Sequence, residues 1–293
     1  MEQLASGLYV DGKSAGTKRK QYEADMASMV RALQRLQSGR ALIQAMGRSA
    51  GKKTIIRPDP SSTARDPNAY AQQERYGSAV YFTPWIFNEF IKRHRSKLST
   101  VAFHADEIFY HELVHALRQV ARVMMDTYLS HSYDDIEEFF AIMVSNIYIS
   151  EKNDKDDDKT NDSYLRADHY MGRALDDKKR ERDAQWIAVD SKDPSLEFLG
   201  LDINITGPRG GVKQATKNAL LVETLIKQQP EFCREIARAK ASFNPIDCLM
   251  DEMKEHNVKT AAELVAVWEG PRSAKRRRGP SRPTAPKTTV GRK

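Results

Sequence analysis

His111-Glu112-Leu113-Val114-His115 decides how the rest of the chain is read. On a helix, residues four apart lie on one face, so two imidazoles at that spacing can meet a single metal ion. The glutamate between them sits beside that point and can act as a general base toward water. This HExxH pattern is that of zinc-dependent peptide hydrolases, with one catalytic Zn2+ and Glu112 as the base. Working outward, Phe109, Leu113, Ala116, Leu117, Val120 and Met124 recur at helical spacing and form one apolar stripe. His111, Glu112, His115, Gln119 and Arg122 fall on the opposite side. Asp106 and Glu107 suit the start of such a helix, and Arg118 and Arg122 its C-terminal half.

A catalytic zinc takes three protein ligands and keeps a fourth position for water. An extended three-histidine motif would need glycine at 118 and histidine at 121, where this chain has Arg118 and Ala121. A glutamate from a following helix is the alternative. Ser130 to Asp135 reads as a turn and helix start, leading into the apolar run Ile136 to Asn146. Two adjacent carboxylates, Glu137 and Glu138, enter that run, and a metal is one reason to bury a carboxylate. Ala141, small and one turn on, and Ser145, two turns on, favour Glu138; Glu137 is the other choice. Oxyanion donors are offered by Tyr164-Leu165-Arg166-Ala167-Asp168-His169-Tyr170. There His169 or Tyr170 could donate, Arg166 could act by its charge, and Asp168 could orient a zinc-bound histidine. His104 falls in the preceding turn, His131 is a spare ligand between the helices, and His94 and His256 are expected at the surface.

HELVHALR, the downstream EEFFAIMVSN segment and the later LRADH together resemble the zinc metallopeptidase effectors of the NleD type. An upstream helical stretch, Leu33 to Leu42, and the strand-like Ala79 to Pro84 extend the likeness over roughly residues 25 to 175. These are bacterial proteins injected into host cells, where they cleave signalling proteins. The resemblance implies a gluzincin-like site in which His111, His115 and Glu138 bind zinc and Glu112 is the base. It raises Arg166 and His169 as catalytic candidates. It also implies a cytoplasmic origin, export by a specialised secretion system as an effector or toxin, and a protein or peptide substrate inside the target cell.

The expected fold class is α+β, a mostly helical zincin-like metalloprotease domain with a small sheet and additional C-terminal helices. Ala79 to Phe82, ended by Pro84, is the expected edge strand above the motif helix, where an extended peptide could pair. Lys53 to Ile56 is a second strand, and Trp85, Phe87 and Phe90 read as core aromatics. Helices are expected over Gln214 to Gln228, Pro230 to Ala239, Pro245 to Glu255 and Ala261 to Trp268, either completing the catalytic domain or capping its cleft. Asp154, Asp156 and Asp158 have calcium-loop spacing, but Lys159 replaces the required glycine, so they read as a solvated acidic loop.

The organisation expected is a flexible 1–24, a catalytic region 25–175, a helical extension 176–270 and a disordered basic tail 271–293. From Arg272 onward nine residues are Lys or Arg and none is acidic. Taking those nine from the chain's 47 basic residues leaves the body at 38 against 40 acidic, a net of −2. The tail is rich in Pro, Ser, Thr and Gly, and Lys275-Arg276-Arg277-Arg278 fits a nuclear-import signal or a contact with nucleic acid. A helical binding module whose basic tail contacts nucleic acid or an acidic partner is the non-enzymatic alternative. No run reaches the length of a membrane span, and residues 1 to 20 lack a secretory signal pattern. Two cysteines, Cys233 and Cys248, exclude a disulfide scaffold and fit a reducing compartment.

Overall fold

The computed structural model describes residues 1–49, 51–94, 104–129, 133–155, 165, 194–199 and 211–269. Five short strands form one sheet: β1 (Glu2–Ala5), β2 (Leu8–Val10), β3 (Lys53–Arg57), β4 (Tyr70–Glu74) and β5 (Gly77–Tyr81), in the order β1-β2-β3-β5-β4. β2, β3 and β5 run parallel, and β1 and β4 flank them antiparallel. Two helices connect β2 to β3: α1 (Arg19–Leu33) and α2 (Gln37–Arg48). Tyr22, Met26, Val30 and Leu33 recur at one-turn spacing, and all four are buried.

Residues 1–24, expected to be flexible, are instead built into the sheet and the first helix. Leu8, Val10 and Tyr22 are fully buried, and β2 lies inside the sheet between β1 and β3. The strands are too short to announce themselves locally, because the partner that orders β2 arrives only at Thr54 to Ile56.

The expected edge strand is also corrected. Residues 79–81 of that segment belong to β5, which pairs on both sides, with β3 and with β4, so β4 is the edge on that side of the sheet among the described residues. Gly77 to Val80 are buried without alternation, as befits an internal strand. Gly77, at φ 151°, closes the hairpin from β4 where an added Cβ would lie 2.0 Å from the Lys53 carbonyl oxygen. Pro84 then opens α3 (Pro84–His94), on which Phe87 is core and Trp85 packs edge-on against Tyr22.

Two central helices follow, α4 (Ala105–Ala121) and α5 (Ile136–Lys155). α4 crosses the sheet on the face that bears Ser78, whose hydroxyl donates to Gln119 Oε1 at 2.6 Å. Both helices are buried almost all round, unlike a surface helix with one apolar stripe. The motif helix is shorter than its stripe: Arg122 turns left-handed at φ 59°, and Met124 lies outside it, exposed.

The C-terminal helices are α6 (Pro194–Leu199), α7 (Gly211–Gln228), α8 (Pro230–Ile236), α9 (Pro245–Glu255) and α10 (Ala261–Glu269). Pro230 and Pro245 sit in the first turn of α8 and α9, where a missing N–H is harmless. Phe198 on α6 stacks on Phe139 of α5 and meets Phe243 edge-on. α8 packs on α2, so these helices complete a shared core rather than form a separate lobe. Both cysteines are free thiols, and burial pushes Cys233 up to about 12. No helix among the described residues is long and apolar enough to cross a membrane.

Candidate metal centre

α4 presents the motif and α5 the third group. His111 Nε2 lies 3.1 Å from His115 Nε2, and the rings stand nearly perpendicular with centroids 4.7 Å apart. Glu138, in the first turn of α5, reaches both: Oε2 is 3.3 Å from His111 Nε2 and Oε1 is 3.2 Å from His115 Nε2. The sequence expectation for Glu138 over Glu137 matches this placement, and Glu137 points elsewhere. Its carboxylate pairs with Arg118 and accepts the Met125 N–H at 2.7 Å. Asp135 accepts the Glu138 backbone N–H at 2.8 Å, which caps α5 and fixes the residue that carries the third group.

Electrostatics follow from this closeness. Burial works against a charged His115, yet hydrogen bonding to Glu138 and the fields of Glu138, Glu112 and Asp135 raise its pKa above the ordinary value. Burial likewise opposes an ionised Glu138, but hydrogen bonds from the two imidazoles hold its carboxyl far below the usual carboxylate range. Glu112 is buried one residue after His111, close enough that its charge is felt at His115.

These three side chains form the one group of metal-donor type that clusters among the described residues, and they could hold a metal ion. Zinc bonds of about 2.0–2.2 Å to nitrogen and oxygen require donors roughly 3.3 Å apart. The observed separations are 3.1, 3.2 and 3.3 Å. The histidine side chains are 5% and 10% exposed and Glu138 is 18% exposed, so the cluster is open to solvent on the Glu138 side.

Around it, sequence reasoning missed two contacts. Gln119 Nε2 donates to the Ala71 carbonyl of β4 at 3.0 Å while its oxygen accepts Ser78, which ties the sheet edge to the motif helix. Arg118, assigned by sequence to the helix dipole, is instead fully buried against Glu137. His104 is the residue preceding α4, as expected, with its N–H donating to Glu107. His256 is exposed beside Glu252. His131, Arg166, Asp168, His169, Tyr170 and the Lys275 to Arg278 run lie outside the described residues.

No known protein family, curated protein or solved structure matches this chain.

Proposed function

We propose that the chain is a zinc-dependent endopeptidase, with His111, His115 and Glu138 as metal ligands and Glu112 as general base. The observation that carries this reading is the close meeting of three donors from two helices, with a buried glutamate beside them on the same face. A structural zinc takes four protein ligands, whereas a three-ligand set leaves a position for chemistry. Bound there, zinc would polarise a peptide carbonyl and acidify water. Glu112 takes the proton of the attacking water on a carboxylate oxygen and delivers it to the leaving amide nitrogen. His111, His115 and Glu138, all held by buried helices, keep that proton transfer in one geometry. The outer edge of β4, unpaired by any strand among the described residues, supports an extended peptide as substrate.

On the likeness to secreted metallopeptidase effectors, the target is a protein inside a recipient cell, and Arg166 and His169 are the proposed oxyanion donors. Purified protein should carry one zinc per chain, lost or weakened in His111→Ala and Glu138→Ala. Glu112→Gln should retain zinc and lose hydrolysis of a peptide library by roughly 100-fold or more. Turnover retained in Glu112→Gln refutes the mechanism. A folded wild type without zinc under zinc-replete conditions points instead to a binding module that acts through its basic tail.

A further inference from the structure

Glu137 and Glu138 are neighbours in sequence with separate tasks, and the task of Glu137 runs through Arg118. Arg118 lies one turn beyond His115 on α4 and is fully buried. Its guanidinium pairs with Glu137, donates to the Val123 carbonyl at 2.8 Å, and donates to Gln228 and Gln229 at 2.9 and 3.1 Å. The ring of Phe140 lies beneath it, 4.6 Å from the guanidinium carbon to the centroid. Glu137 in turn accepts the Met125 N–H. One side chain thus joins the end of α4, the first turn of α5 and the α7–α8 corner.

The opposite end of the helix pair carries a matching set. Asp106 accepts from Tyr148 at 2.6 Å and from Lys152 at 2.9 Å, and Lys152 also donates to Glu107 at 3.0 Å. The start of α4 therefore meets the end of α5, and the end of α4 meets the start of α5. The pair is antiparallel and fastened by charge at both ends, with the histidines and Glu138 between. Sliding or turning α5 against α4 would have to break one of these sets, and it is this motion that would move Glu138 off the imidazoles.

From this we infer that Arg118 and Glu137 form a positioning pair that sets the reach of Glu138 to the metal and makes the C-terminal helices part of the centre. This rests on the zinc reading proposed above. Neither residue touches the metal or substrate. Residues that orient metal ligands from behind typically change metal affinity by about 10- to 100-fold when replaced.

The test uses the full chain with Arg118→Lys, Glu137→Gln and the double variant Arg118→Met/Glu137→Met, which removes both buried charges at similar volume so that the fold persists. Zinc affinity is read by competition with a chelating dye, ligand geometry by the visible absorption of the cobalt-substituted protein, and folding by near-ultraviolet circular dichroism. The expected result is a loss of zinc affinity of about 10-fold or more in each folded variant, with a changed cobalt spectrum. The double variant should lose no more than the stronger single, because the pair acts as a unit. Wild-type affinity and an unaltered cobalt spectrum in any folded variant overturn the inference. A wild type that binds no zinc fails the functional reading instead, so the two failures are distinguishable.

Discussion

Glu151 offers a quantitative test of how the helices around the centre are held. This carboxylate, on the last turns of α5, is 1% exposed and caps the N-terminus of α2 from across the core. It accepts the Gln37 N–H at 2.8 Å on one oxygen, and the Ser38 N–H and hydroxyl at 2.8 and 2.7 Å on the other. Tyr110 of α4 donates to the Ser38 carbonyl, so the same turn of α2 is also pinned to the motif helix. In Glu151→Gln one acceptor oxygen becomes an NH2 group that faces donors. Charge assistance is lost and at least one buried N–H goes unmet, each worth roughly 1–3 kcal/mol. Lys155, half-exposed on the next turn, adds little. The expected loss is about 2–4 kcal/mol at pH 7, or a fall in Tm of roughly 5–15 °C.

The pH dependence gives the sign. Burial opposes the charge, but the donors of Lys155, Ser38 and Gln37 outweigh it and hold the Glu151 carboxyl below its ordinary 4.5. A depressed carboxyl stabilises the fold fully above its unfolded value and loses that contribution as pH falls through its folded one. The gap between wild type and Glu151→Gln, measured by urea unfolding, should therefore hold steady from pH 8 to about 5.5 and narrow below about 4.5. A gap under about 1 kcal/mol at pH 7, or one that does not narrow in acid, would refute this account of the cap.

Zinc removal should destabilise the wild type: at free zinc about 100-fold above Kd, binding adds roughly 2.7 kcal/mol, so a chelator should lower Tm by about 5–10 °C. His111→Ala should show no such shift in the same scanning calorimetry. Gly77→Ala should cost on the order of 2 kcal/mol, because φ 151° and the Lys53 carbonyl both oppose a Cβ. Gly16→Ala is the control, since φ there is 58° but nothing lies within 4 Å, and it should lose clearly less on chemical denaturation.

Where the chain carries its own punctuation, the sequence was legible. Pro230 and Pro245 mark helix starts by local chemistry, and the structure starts α8 and α9 there. The motif histidines share a face because helical period dictates it, and Ala141 one turn from Glu138 pointed to the carboxylate that lies beside them. Failures came where a distant group supplied the signal. The likeness took Leu33 to Leu42 as one helical stretch, yet it breaks at Gln34 to Leu36. No side chain caps α2 locally; its cap is Glu151, more than a hundred residues later. The end of α4 has no glycine and no proline, so its stripe ran on to Met124, while the real stop is made by Arg118 and Glu137 binding the Val123 and Met125 backbone. β2 needed a parallel partner that local alternation cannot announce.

These long-range groups share a character. Glu107, His111, Glu112, His115, Arg118, Gln119, Glu137 and Glu151 are all buried, and all lie on α4 or α5. Well-packed apolar residues in place of buried ion pairs are commonly neutral or stabilising, so stability alone gives no reason to gather so many polar groups on one helix pair. Directional bonds do what apolar packing cannot: they fix rotation and register between two helices to a fraction of an ångström. Three donors at 3.1 to 3.3 Å have need of that. A helix pair meant only to fill a core would tolerate a slip that packing could absorb, whereas a three-ligand centre would lose its third donor. The concentration of buried polar and charged groups along α4 and α5 is thus in keeping with the metal centre proposed between them.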